Sequence, residues 1–226
     1  IVEFLTGFPS QPLMWVKVLA IDQVLAVYNE SHVGQEIIGV FPEVNIAGHF
    51  DLECMNLPGN RPPAETWLST DMHAYVASRI GIQNSRWGIM GVSTGGWCAA
   101  MLSIRHPDLY SAAASIAGYY RPALPLTDPL PLQKAMDVKY DLVPSEAALT
   151  QTQKLYLTAS RGDKYSYRET KKFLAKKHPN LDITYKELAS GGHNSRVWVG
   201  LIPGALDWLQ RNISVLTRWQ DIALCL

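Results

Sequence analysis

What this sequence lacks narrows its reading first. Its 226 residues include only three cysteines, Cys54, Cys98 and Cys225. They are too few for a disulfide scaffold and show no metal-ligand spacing. No apolar run is long enough to span a bilayer, and no basic segment followed by an apolar stretch marks a signal peptide. Charge is sparse and balanced, with 20 Lys and Arg against 20 Asp and Glu. That balance, without any block of like charges, argues against a nucleic-acid binder, which needs a basic surplus to neutralise phosphates. Gly-rich phosphate loops, dinucleotide fingerprints and zinc-protease motifs are all missing, so neither a cofactor nor a metal is expected. The chain also lacks an initial Met and starts on the strand-like Ile1-Val2-Glu3-Phe4-Leu5; a processed or excised domain is the expectation.

What remains is a neutral chain with 47% apolar residues, enough to bury a sizeable core, and a single domain over 1–226 is expected. Short β-type runs at 1–5, 36–41, 87–92, 111–117, 154–159 and 182–188 alternate with helical patterns at 14–28, 64–80, 94–106, 167–177 and 195–211. Several of the runs are Ile, Val, Leu and Ala without clean alternation, as expected of strands covered on both faces. Pro63 suits a first helical turn, Gly81 a left-handed stop, and Pro107 follows the third helix. A β-α alternation of this kind implies a mainly parallel sheet flanked by helices. Two irregular stretches, 42–63 and 121–144, read as long loops, either functional or lid-like or else floppy surface insertions.

The strongest chemical signal is Gly91-Val92-Ser93-Thr94-Gly95, at the junction of an expected strand and an expected helix. A sharp turn there pushes Ser93 Oγ out of the sheet, while the two glycines let backbone pack closely. The N–H groups at the start of the following helix favour an oxyanion. A serine hydroxyl needs a base, and of six histidines only His193 follows the last strand, in Ser190-Gly191-Gly192-His193-Asn194. His32, His49, His73, His106 and His178 read as surface or capping residues. The acid that orients the base should follow the preceding strand, where Ser160-Arg161-Gly162-Asp163 makes Asp163 the leading candidate over Glu169, Asp137 and Asp141. The oxyanion needs two donors: the N–H of Thr94, and that of Phe8 in the turn Thr6-Gly7-Phe8-Pro9.

Together these residues resemble the esterase branch of the α/β-hydrolases, the group of esterase D, feruloyl esterases and mycolyltransferases. Glu65-Thr66-Trp67-Leu68-Ser69-Thr70-Asp71 is similar to the helix start that precedes the nucleophile strand in mycolyltransferases, and Gly192-His193-Asn194 through Trp198 to that group's histidine loop. The resemblance implies an α/β-hydrolase fold with a mostly parallel central sheet, here without the family's N-terminal antiparallel edge strands. It implies a serine esterase working through an acyl-enzyme on a small ester. The alternatives are acyl transfer to a sugar or alcohol, and a silent hydrolase-fold binding protein. Asp163 where mycolyltransferases have Glu, Thr94 after the nucleophile and Thr6 in the oxyanion turn all favour a plain esterase. Trp15, Tyr119, Tyr120 and Trp198 are candidates for the substrate pocket. Cys54 and Cys98 are either bridged beside the active site, as a secreted member of such a family permits, or two free thiols. A secreted or cell-envelope location is expected, with a cytoplasmic one left open.

Overall fold

The computed structural model describes residues 1–81 and 86–213. Cys225 lies outside them. Among the described residues six strands form one sheet in the order β2-β1-β3-β4-β5-β6, and each of these pairings is parallel. They are β1 (Val2–Leu5), β2 (Gly39–Val40), β3 (Trp87–Val92), β4 (Tyr110–Ile116), β5 (Gln153–Ser160) and β6 (Leu181–Leu188). Every residue of β1, β3 and β4 is buried, whereas β6 alternates between covered and open positions along one edge. The chain crosses from β1 outward to β2 and then back to β3 on the other side of β1. That reversal opens a crevice at the carboxyl ends of β1 and β3, where parallel sheets bind ligands.

Helices cover both faces. In chain order they are α1 (Met14–Lys17), α2 (Ile21–Ser31), α3 (Ala64–Thr66), a π-helical turn (Trp67–Asp71), α4 (Met72–Ile80), α5 (Thr94–Arg105), α6 (Leu130–Lys139), α7 (Leu142–Ala147), α8 (Lys164–Leu174), α9 (Ser195–Val199) and α10 (Ile202–Asn212). None is long and apolar enough to cross a membrane among the described residues. Alternate strand residues feed two cores. Leu5, Trp87 and Ile89 join α4 and α5 on one face, while Val2, Phe4, Met90 and Val92 join α1, α2 and α10 on the other. α5 is buried from Thr94 through Ile104, so the helix that follows Ser93 is held almost entirely by packing.

Where the elements depart from the sequence expectation, the reasons are local. The pattern at 14–28 breaks because Ala20 turns left-handed, φ 50°. Leu19 and Ile21, on either side of that turn, are both fully buried. The pattern at 195–211 splits because Pro203 cannot sit inside a helix and instead occupies the first turn of α10. The expected strand at 36–41 shrinks to two residues at an edge, paired only with Val2 and Glu3. The stretch 121–144 is not loop throughout. It carries α6 and the start of α7, whose Pro131 and Pro144 lie in first turns, where proline is tolerated. Gly81 does end α4 in the left-handed conformation, φ 68°.

The approach of α5 to the sheet needs two residues without side chains. A Cβ on Gly91 would lie 1.9 Å from the carbonyl oxygen of Gly95, and one on Gly95 would lie 2.2 Å from that of Leu5. Both obstacles are backbone in the most buried part of the molecule, so neither can yield cheaply. Gly91→Ala and Gly95→Ala are therefore each expected to cost about 3 kcal/mol. On Gly204, in α10, the nearest atom to an added Cβ is Tyr156 Oη at 3.7 Å, so Gly204→Ala should gain about 0.5 kcal/mol from helix propensity. Urea denaturation of the three variants checks the contrast; a Gly91→Ala variant as stable as the parent would contradict the packing described.

Candidate active site

Four strand ends deliver the predicted residues to one place. Ser93 follows β3 with φ 58° and ψ −124°, a conformation costly for any residue with a side chain. It is held by its N–H, which donates to Ile116 of β4 at 2.9 Å, and by its carbonyl, which accepts from Gly96 and Trp97. Asp163 follows β5 and is 5% exposed. Its two oxygens are divided between two tasks: Oδ1 caps α8 by accepting from the Ser166 N–H, and Oδ2 lies 2.5 Å from His193 Nδ1. His193 follows β6, and its Nε2 lies 2.8 Å from Ser93 Oγ. The neutral tautomer that fits both contacts donates from Nδ1 to Asp163 and accepts the Ser93 hydroxyl proton at Nε2.

The loops carrying acid and base are tied to each other. Ser160 Oγ donates to the Gly191 carbonyl, and a Cβ on Gly162 would fall 2.4 Å from that same oxygen. Asn194 caps α9 by accepting from the Val197 N–H. The Trp198 ring stands edge-on to His193, with centroids 5.0 Å apart. The histidine side chain remains 40% exposed, so solvent and substrate reach it from the open side.

The turn after β1 packs directly on the serine. Because Leu5 pairs with Gly91, Gly7 comes level with Ser93, and a Cβ on Gly7 would lie 2.9 Å from Ser93 Cβ and 3.4 Å from its Oγ. The turn is closed by the Ser10 N–H, which donates to the Gly7 carbonyl, and its Phe8–Pro9 peptide is cis. Phe8 follows Gly7 in this turn and Thr94 follows Ser93, and neither backbone N–H has a backbone acceptor among the described residues.

The rest of the expected site is distributed differently. Cys54 and Cys98 are joined in a disulfide with Cα atoms 5.7 Å apart. Trp15 is fully buried under the opposite face of the sheet, its ring against Phe4, because the apolar stripe of α1 turns it inward. Tyr120 is likewise a core residue, donating to Ser115 Oγ and stacking on Phe173. Of the four aromatic candidates only Trp198 touches the histidine. Tyr119 is buried one layer behind, where its Oη reaches Thr94 Oγ1 and Glu53. Glu169 is committed to Arg121, Arg168 and Lys172; Asp141 caps α7, and Asp137 lies in α6. Three histidines read as surface or capping residues instead partner buried carboxylates: His73 lies beside Glu3, His106 beside Glu65 and His178 beside Glu146. Burial would raise the Glu65 carboxyl, but hydrogen bonds from His106, Arg105 and Tyr140 outweigh it and hold it near 2.

Sequence reasoning passed over Glu53, a residue only 2% exposed. Burial first, and the neighbouring Asp51 second, push its carboxyl up to about 8. The only signal was its position beside Cys54. No group of three or more His, Cys, Asp or Glu that could hold a metal occurs among the described residues.

Residues 15–209 match the family model described as "Putative esterase". A segment of 126 residues, 55% of the chain, is 25% identical to an uncharacterised protein of Corynebacterium glutamicum, of which it spans 29%. Among solved structures, a ferulic acid esterase superposes with a TM-score of 0.76 at 19% identity, over 93% of this chain and 84% of that one. The S-formylglutathione hydrolase of Agrobacterium tumefaciens gives 0.77 at 14%, over 94% and 84%. MPT51 of Mycobacterium tuberculosis gives 0.67 at 16%, over 94% and 89%. At these identities the likeness shows the α/β-hydrolase fold.

Two stability effects follow from the carboxyls. Removing the cap with Asp163→Ala should cost about 1 kcal/mol, and Asp163→Asn, an equally good cap, should restore most of it. Glu53 has a folded-state value raised above the unfolded one, so the unfolded chain releases its proton first as pH rises. Between about pH 4.5 and about 8 the parent should lose stability relative to Glu53→Gln, by about 1.4 kcal/mol per pH unit at most. Urea midpoints measured across that range check the sign; parallel curves for the two proteins would refute it.

Proposed function

Because the chain belongs to the esterase family, we propose that it is a serine esterase that cleaves a small carboxylic ester through an acyl-enzyme. The observation that carries this reading is the unbroken hydrogen-bonded series from Asp163 through His193 to Ser93, ending on a strained serine at the start of a buried helix. In the proposed reaction Ser93 Oγ attacks the ester carbonyl carbon while His193 Nε2 takes the hydroxyl proton. Asp163 stabilises the resulting imidazolium. The carbonyl oxygen, now negative, accepts from the N–H groups of Phe8 and Thr94, whose dipoles are already aimed and need no reorganisation. The imidazolium returns its proton to the departing alkoxide, leaving Ser93 acylated. Water, deprotonated by His193, then repeats the sequence and frees the acid.

The open side of His193 favours hydrolysis over acyl transfer, since water reaches the base without displacing a covering segment. The fold relatives with named substrates act on a ferulic ester and on S-formylglutathione, both acyl compounds, and this supports an acyl substrate here. The Cys54–Cys98 bridge supports an oxidising compartment such as the cell envelope or exterior.

A fluorophosphonate probe should label Ser93 in folded protein, and Ser93→Ala should lose both labelling and turnover of p-nitrophenyl esters. Asp163→Asn should lower kcat by about 10⁴-fold, through the wrong histidine tautomer, whereas Glu169→Gln should change it by about twofold or less. An unlabelled Ser93 would leave a silent hydrolase-fold protein as the reading. Acylated product accumulating on added sugar or alcohol at the expense of free acid would make it a transferase.

A further inference from the structure

The loop that precedes α3 hides a carboxyl that the triad does not use. Glu53 and Cys54 both have left-handed backbone, with φ 52° and 56°, and such strain in two successive non-glycine residues persists only where the surroundings impose it. Here the surroundings are α5 and the segment after β4. The Cys54–Cys98 bridge fastens the loop to α5, Trp97 Nε1 donates to the Glu53 carbonyl at 3.1 Å, and the Ala123 N–H donates to Glu53 Oε2 at 3.3 Å. Glu53 Oε1 then lies 2.6 Å from Tyr119 Oη, which in turn lies 3.2 Å from Thr94 Oγ1. Thr94 and Cys98 are one turn apart on the same side of α5. A chain of two hydrogen bonds therefore joins a buried carboxyl to the residue whose N–H is assigned to the oxyanion.

Each hydroxyl has a single proton, so this chain has a direction. When Glu53 is protonated it donates to Tyr119 Oη, and Tyr119 donates to Thr94 Oγ1. When Glu53 is ionised, Tyr119 donates to the carboxylate and accepts from Thr94, and every bond in the chain reverses. The ionised state also places an anion behind the site where a second negative charge must develop, and low-dielectric surroundings make that costly. The titratable groups that face Glu53 are Asp51 on its own loop, Tyr119 after β4, and Tyr165 of α8, whose ring meets Tyr119 at 5.7 Å. Arg168 lies over the Tyr165 ring, and it and Arg121 are engaged with Glu169.

We propose that Glu53 is a positioning residue whose protonated carboxyl acts through Tyr119 to set Thr94 for oxyanion binding, and whose ionisation slows turnover at alkaline pH. The inference rests on the esterase reading of Ser93. Burial and Asp51 place the transition in an accessible range, and Gln reproduces the protonated state, with its amide N–H donating to Tyr119 and its oxygen accepting from Ala123.

The test is a pH–rate profile for a short-chain p-nitrophenyl ester, with fluorophosphonate labelling of each protein alongside. From about pH 7 to about pH 9.5 the parent should lose roughly tenfold in kcat/KM, while Glu53→Gln stays within about twofold over the same span. Tyr119→Phe should lower kcat several-fold with little change in KM, because the oxyanion exists only beyond the ground state. An alkaline limb in Glu53→Gln equal to the parent's, with Ser93 labelled in both, overturns this inference alone, and it does so even if Tyr119→Phe fails to fold. A Tyr119→Phe variant that raises KM and leaves kcat intact also overturns it. A parent protein whose Ser93 is not labelled overturns the esterase reading and this inference with it.

Discussion

A Cβ on Gly95 would sit 2.2 Å from the Leu5 carbonyl oxygen, and a Cβ on Gly91 would sit 1.9 Å from that of Gly95. This contact between the first turn of α5 and the backbone leaving β1 and β3 sets the geometry of everything in front of it. It forces the chain to reverse within one residue, which is why Ser93 adopts φ 58° instead of a relaxed strand or helix value. It also brings Gly7 against Ser93, so that the turn bearing Phe8 packs beside the helix start bearing Thr94. The strain at Ser93 is small beside the burial that opposes its release, since β1, β3 and α5 are almost wholly covered.

The acid and base do not share in that contact and are positioned by a second one. β5 and β6 pair along eight residues, and beyond their ends Ser160, Gly162 and Gly191 lock the two loops together. Asp163 links the two loops to local helix order, because one oxygen holds the start of α8 while the other holds His193. A carboxylate fixed by a helix cap cannot rotate freely, so the imidazole it orients inherits the rigidity of the helix.

The proximity of Ser93, Asp163 and His193 could be anticipated from sequence because each is announced locally. Ser93 lies between glycines at a strand–helix junction, and Asp163 and His193 each follow a strand. Their chain order also belongs to one fold. The strands were legible for the same reason, as runs of β-branched and small apolar residues between helical patterns. What could not be read depends on distant partners. Nothing near Trp15 says that α1 turns it toward Phe4, and nothing near Tyr120 says that Phe173 will stack on it. His73, His106 and His178 meet carboxylates 32 to 70 residues away in the chain, a separation no local pattern encodes. The helices α6 and α7 were hidden by prolines that count as breakers in a sequence but sit in first turns in the fold.

Glu53 shows what such distant contacts add. In the proposed reaction the front of the site uses groups that are charged or become so: a carboxylate, an imidazole and an incipient oxyanion. These can face solvent or donors of their own. The layer behind Thr94 is closed, and a carboxyl there escapes the cost of burial mainly by staying protonated. Its neutrality is therefore imposed by burial first and by the neighbouring Asp51 second, against the hydrogen bonds from Tyr119 and Ala123, which favour the anion. The formal charge balance of the chain counts Glu53 as an anion, whereas burial favours its neutral form. A neutral acid in that layer can pass a hydrogen bond forward to Thr94, whereas an ionised one would draw it back, so the same burial that makes the residue expensive gives it a defined direction of influence on the site in front.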